Sequence, residues 1–148
     1  MQRATRQLLR STLLGTFFVF LDQYFKYRIL SAPTQVQYIL KPYLGWEYFA
    51  NQGIAFSIPV PHQVVLWFTP FIVILLMGFA YRYSQQNNPL SAALIIIVFG
   101  ALSNYTDRIR FGITIDYIRV FTSIINIADL MIAYGTIWIL YHKTLKKK

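Results

Sequence analysis

Cysteine is absent from this chain of 148 residues, and histidine occurs only at His62 and His142. Without cysteine there is no disulfide framework, no thiolate nucleophile and no thiolate metal site. Neither histidine belongs to a carboxylate cluster with ligand spacing, so no metal ion and no cofactor is expected. Acid is scarce as well. Asp22, Glu47, Asp107, Asp116 and Asp129 are five carboxylates against 14 lysines and arginines, a net charge of +9. The basic residues gather at the termini and at the ends of apolar runs instead of forming a stripe on a polar face. That distribution fits topology-setting charge and excludes a nucleic-acid partner.

What is abundant is apolar surface. Hydrophobic residues make up 56% of the chain and charged ones 13%, well outside the range of a soluble domain. At this length the whole chain, 1–148, forms one integral-membrane domain. Four runs approach membrane-span length, at about 8–30, 63–81, 90–106 and 124–141. The first imitates a secretory signal peptide. However, Asp22, Lys26 and Arg28 occupy the would-be cleavage region, so an uncleaved span is the better reading. Asp22 and Lys26 stand one turn apart on one helix face, either neutralising each other or serving as a functional scaffold. Pro70 lies inside the second run, where neighbouring helices can satisfy the freed carbonyl. The third carries Ala92, Ala93, Gly100, Ala101 and Ser103, small residues that let helices approach closely.

Outside the apolar runs, Val36–Leu40 and Leu44–Ala50 are short and rich in aromatic and β-branched residues, and Lys41-Pro42-Tyr43 separates them. They read as two strands of a small sheet within residues 36–57. Gly53 supplies either a positive φ or a close backbone approach. Four spans place both termini on one side, with Arg3, Arg6, Arg10, Arg82, Lys143 and Lys146–Lys148. Lys26, Arg28, Lys41, Arg108, Arg110 and Arg119 fall on the other. The excess puts the termini in the cytoplasm. Asn51, Arg108, Asp116 and Asp129 then all meet at the outer face.

Three of the five acids, Asp107, Asp116 and Asp129, fall within residues 100–130. A carboxylate at membrane depth costs about 2.5–3.5 kcal/mol on insertion scales, so it is usually paired or functional. Asp116 and Asp129 have apolar neighbours that exclude water and raise carboxyl pKa values. Two carboxylates brought close cannot easily both ionise, so one keeps a proton. Such a pair can take a proton from water with one member and give one to a departing amine with the other. Asn51, Asn104, Asn126 and Arg108 are candidate donors to the carbonyl oxygen that gains charge during hydrolysis. Each also has a plainer role as a span-end cap or, for Arg108 beside Asp107, an interface ion pair. Asp129 follows Asn126 by three residues, which places the two on one helix face. Serine chemistry is poorly provided for, because Ser57 and Ser103 lack a nearby histidine. A Ser–Lys pair using Lys26 or Lys41 leaves the rare acids unexplained. From a different functional class, a small four-span transporter subunit could use Asp116 or Asp129 as a proton relay.

Five motifs in order then give the chain a resemblance. They are Asp22-Gln23 with Lys26, Asn51-x-Gly53-x-Ala55-Phe56, Gly100-Ala-Leu-x-Asn104-x-x-Asp107-Arg108, Gly112-x-x-x-Asp116 and Asn126-x-Ala128-Asp129. Together they resemble the bacterial signal peptidase II, or lipoprotein signal peptidase, family. The resemblance implies an all-α membrane protein with four transmembrane helices and a small extracytoplasmic β-cradle, located in the bacterial inner membrane. It implies an aspartic endopeptidase that removes the signal peptide of a diacylglyceryl-modified prolipoprotein, cutting before the lipidated cysteine. Asp116 and Asp129 match the catalytic pair. Asn51, Asn104, Arg108 and Asn126 match its supporting polar residues. Asp22, Lys26, Gly53, Ala55, Phe56 and Asp107 match structural or supporting positions. The implied partners are the prolipoprotein and membrane lipid, and a monomer is expected. Gln52, Ile54, Ser103 and Ile125 depart from the common Thr, Ala, Gly and Phe of the family, and the segment between Asp116 and Asn126 is short.

Overall fold

The computed structural model describes residues 2–54 and 58–145, with side chains from residue 5 to residue 144 of that range. The expectations for Ala55, Phe56, Ser57 and the Lys146–Lys148 tail lie outside it. Four long helices are joined by a small sheet: α1 (Gln2–Leu30), β1 (Gln37–Leu40), β2 (Leu44–Asn51), α2 (His62–Gln85), α3 (Leu90–Phe111), β3 (Thr114–Val120), β4 (Ser123–Ile125) and α4 (Ile127–Leu145). The molecule is thus mostly helical with one antiparallel sheet in the order β1-β2-β3-β4. Helix α3 is the centre of the bundle and packs against α1, α2 and α4.

The helix ends follow from local chemistry. Pro33 lies just beyond α1, and Pro59 and Pro61 precede α2, positions where proline stops or starts a helix. Pro70 is accommodated inside α2. Helix α3 runs to Phe111, five residues past the expected end of its apolar run, and Gly112 closes it. The Gly112 φ of 74° is a left-handed cap, and its N–H donates to the Arg108 carbonyl at 3.1 Å.

The chain after α3 differs from expectation. Residues 123–125 do not open the fourth helix. They form β4, which pairs with β3 across a tight turn at Phe121-Thr122, and α4 begins only at Ile127. The sheet therefore has four strands instead of two, and its β3–β4 half lies outside residues 36–57. β2 aligns Phe49 with Asp116 and Asn51 with Thr114, so the two halves form one surface. Ile29, Ile115 and Tyr117 form a buried cluster between α1 and the sheet, backed by Phe25 and Trp46.

Among the described residues, α2 and α3 are long and apolar enough to cross a membrane. Helices α1, α2 and α4 turn large apolar side chains outward, including Phe20 (75% exposed), Trp67 (80%) and Ile137 (65%). An apolar surface of that extent marks contact with lipid or protein.

Candidate active site

Asp116 and Asp129 reach one site by different routes. Asp116 is the third residue of β3, and its side chain is 1% exposed. Alternation along a strand puts residues 114 and 116 on one face. Asn51, opposite Thr114 in register, is therefore a diagonal neighbour of Asp116. Its Nδ2 donates to Asp116 Oδ2 at 2.9 Å, while its Oδ1 accepts the Gly53 N–H at 2.9 Å. The Gly53 N–H and the Asn51 side chain thus form a turn in which the chain folds back onto Asn51. Arg108 completes this corner, with its Nη2 donating to the Gly53 carbonyl at 2.6 Å. It is not the ion-pair partner of Asp107.

Asp129 lies in the first turn of α4. Asn126 precedes that helix instead of sharing a helical face with Asp129. The two residues make a reciprocal cap. Asn126 Oδ1 accepts the Asp129 N–H at 2.8 Å, and Asp129 Oδ2 accepts the Asn126 N–H at 3.2 Å. The Asn126 amide then turns to the other acid, donating to Asp116 Oδ1 at 2.6 Å. Asn104 Nδ2 donates to Asp129 Oδ1 at 2.8 Å, and Asn104 Oδ1 accepts from Asn126 Nδ2 at 3.1 Å. A chain of amides therefore joins the two carboxylates. Burial pushes the Asp116 carboxyl up to about 7, and the charge of Asp129 adds to the rise. The hydrogen bonds from Asn51 and Asn126 act in the opposite sense.

Behind this pair lies a buried ionic cluster. Lys26 Nζ is 2.6 Å from Asp22 Oδ2 and 2.7 Å from Asp107 Oδ2, and it also donates to Asn104 Oδ1 at 3.0 Å. The i,i+4 pair read from the sequence is real, but it is half of a bridge. Its second acid comes from α3. Asp22 Oδ1 accepts the Ile127 and Ala128 N–H groups at 3.1 and 3.4 Å, which satisfies the free donors at the start of α4. Asp107 Oδ2 accepts the Ile115 N–H at 3.3 Å, next to Asp116. The cluster thus holds both backbone segments that carry the paired acids. It also leaves Lys26 without the role of a free base, and the Ser103 hydroxyl is committed to Asp22 Oδ2 at 2.7 Å. A Ser103–Lys26 nucleophile is therefore not assembled.

Gln23, part of the first motif, bridges Ser103 and Asp107 through its Nε2 at 3.0 Å each. One participant was not singled out from the sequence: Tyr117 donates to Asp22 at 2.8 Å. The signal for Tyr117 was a hydroxyl on the apolar face of an alternating strand. Thr114 Oγ1 is buried beside Asp116 and has no hydrogen-bond partner among the described residues. A cleft of about 730 Å³ opens next to this corner, lined by Phe49, Gln52, Gly53, Pro61, His62 and Ile113.

A helical bundle capped by a small sheet is an architecture that this chain shares with solved bacterial membrane enzymes. The structure overlays a bacterial membrane enzyme solved in meso at 2.3 Å resolution with a TM-score of 0.80. The identity is 27%, over 94% of this chain and 92% of that one. A second bacterial membrane enzyme, solved at 1.9 Å, gives a TM-score of 0.75 at 26% identity over 90% and 91%. In sequence, the chain is 31% identical to the lipoprotein signal peptidase of Moorella thermoacetica over 84% of this chain and 86% of that one. It is 34% identical to that of Streptococcus pyogenes serotype M1 over 82% and 84%. The signal peptidase (SPase) II family matches residues 14–145. The chain belongs to that family.

Proposed function

We propose that this chain is an aspartic endopeptidase of the bacterial inner membrane. It removes the signal peptide of a diacylglyceryl-modified prolipoprotein by cutting before the lipidated cysteine. The observation that carries this reading is the pair Asp116 and Asp129, joined through Asn126 and Asn104 and belonging to a family of signal peptidases. One carboxylate takes a proton from water as its oxygen attacks the scissile carbonyl carbon. The other protonates the amide nitrogen as the C–N bond breaks, releasing a peptide acid and a free amine. The raised Asp116 carboxyl keeps one proton in the pair near neutral pH, so the two titrate as a unit. Gln52 and Gly53 of the Asn51 turn line the cleft, and Arg108 holds the Gly53 carbonyl; in this reading the turn and Arg108 orient the substrate peptide.

All four helices cross the membrane in this reading, since α1, α2 and α4 expose apolar side chains along their length. The sheet and the acids lie at the outer face, both termini are cytoplasmic, and the lipid anchor of the substrate stays in the outer leaflet. The proton-relay transporter has less support. A relay acid belongs within a span, whereas Asp116 is on a strand and Asp129 is in a first helical turn.

The test uses purified protein in detergent with a diacylated prolipoprotein. Wild type is expected to release the signal peptide. Asp116→Asn and Asp129→Asn are each expected to abolish release while inserting normally. Full turnover by either variant would overturn the assignment.

A further inference from the structure

Tyr117 is adjacent to Asp116, and strand alternation turns its side chain to the opposite face of β3. It is fully buried, with its ring packed against Phe25 and Trp46 at centroid distances of 5.9 and 4.8 Å. Those contacts fix the hydroxyl. It donates to Asp22 Oδ1 at 2.8 Å and accepts the Ile127 N–H at 3.3 Å. The same Asp22 oxygen accepts the Ile127 and Ala128 N–H groups of the α4 terminus. Burial, and the negative charge of Asp22 beside it, raise the phenol pKa, so the group remains a donor throughout the working pH range.

The hydroxyl therefore ties the strand next to Asp116 to the helix start next to Asp129. A second tie, from Asn126 Nδ2 to Asp116 Oδ1, lies on the other face of the strand. β3 is held along its edges by β2 and β4, and the two ties act on its two faces, fixing the strand against the start of α4 and with it the distance and angle between the carboxylates. We propose that Tyr117 is a positioning residue for peptide cleavage, acting through Asp22 and the α4 terminus on the geometry of the Asp116–Asp129 pair. The inference rests on the peptidase reading given above. Displacing reacting groups by about 1 Å can cost on the order of a hundredfold in rate, so the tie matters without touching substrate.

Tyr105 supplies the control. Its hydroxyl donates to the Leu66 carbonyl of α2 at 3.3 Å and takes no part in the Asp22 cluster. Tyr117→Phe and Tyr105→Phe each remove one phenolic hydroxyl and keep the ring. The experiment measures kcat, KM and thermal unfolding for both variants, with Asp116→Asn alongside. Tyr117→Phe is expected to lower kcat about ten- to a hundredfold with KM within twofold. Tyr105→Phe should keep kcat within about twofold. Wild-type kcat in Tyr117→Phe, an equal kcat loss in Tyr105→Phe, or a loss confined to KM would each overturn the positioning role. If Asp116→Asn is inactive and Tyr117→Phe is normal, the positioning role alone falls. Full activity in Asp116→Asn removes both readings.

Discussion

At the scale of single residues, Asp116 sets how the molecule responds to pH. Its carboxyl is raised from an ordinary 3.8 to about 7, chiefly by burial. In the proposed mechanism the pair keeps, below about 7, the proton that general acid catalysis needs. Above it that proton is lost, so the cleavage rate is expected to fall on an alkaline limb near 7. Asn51 donates to the ionised form and holds the value down. Asn51→Ala should displace the limb of its remaining activity to higher pH, as read from initial rates across a pH series. The contribution to stability has the sign of a raised acid. It is fully present below the unfolded value of about 3.8 and lost as pH rises through about 7, because the folded chain keeps a proton that the unfolded chain has released. Lys26 makes a second case. Lys26→Met leaves Asp22 and Asp107 buried without their shared cation, which is expected to cost about 3–5 kcal/mol and to lower the unfolding temperature markedly. The Asp22–Lys26 half of that bridge was legible from four-residue spacing. The Asp107 half was not, because a partner 81 positions along the chain is fixed only by how α1 packs on α3. Asn126 was legible as a site residue and as a span-end cap, but its place before the helix was not, since its apolar neighbours Ile124 and Ile125 read as the start of a helix.

At the scale of elements, the interface of α3 with α4 decides whether Asp129 is in place. Gly100 and Gly135 allow the close approach. A Cβ on Gly100 would sit 2.7 Å from the Ala128 carbonyl, and one on Gly135 would sit 2.8 Å from the Ala93 carbonyl. Backbone cannot give way as a flexible side chain does. Gly100→Ala is therefore expected to push α4 outward beside Asp129, costing about 1–3 kcal/mol and most of the cleavage rate. Gly78, with open space around it on α2, is the matched control. Gly78→Ala should leave both quantities unchanged or raise stability slightly, as thermal unfolding and single-turnover cleavage will show. The helices were readable because apolar runs of this length have few alternatives. The β3 and β4 strands were harder. Residues 113–118 alternate visibly, but the three residues of β4 are too short to carry a period. Their pairing depends on a turn at Phe121, whose φ of 54° no residue pattern announces.

At the scale of the whole molecule, the elements that hold the acids are all found at one end of the bundle. The sheet follows α1, the Asn51–Gly53 turn precedes α2, Gly112 ends α3 and Asn126 begins α4. Alternating helix direction then carries the α2–α3 link and the exposed end of α4 to the opposite side. In the sequence, Arg3, Arg6, Arg10, Arg82, Lys143 and Lys146–Lys148 on one side stand against Lys26, Arg28, Lys41, Arg108, Arg110 and Arg119 on the other, eight basic residues to six, an excess in the direction of cytoplasmic termini. That balance is close, and it is the reason orientation needs a direct measurement. The chain lacks native cysteine, so single cysteines report without background. Lys41→Cys in the β1–β2 turn and Gln52→Cys beside the cleft are both at exposed positions, and they should react with a membrane-impermeant thiol reagent applied to intact spheroplasts. Gln86→Cys in the α2–α3 link and Lys143→Cys near the end of α4 should react only after the membrane is opened. The reverse pattern would put Asp116 and Asp129 in the cytoplasm, where no exported prolipoprotein could present its cleavage site to them.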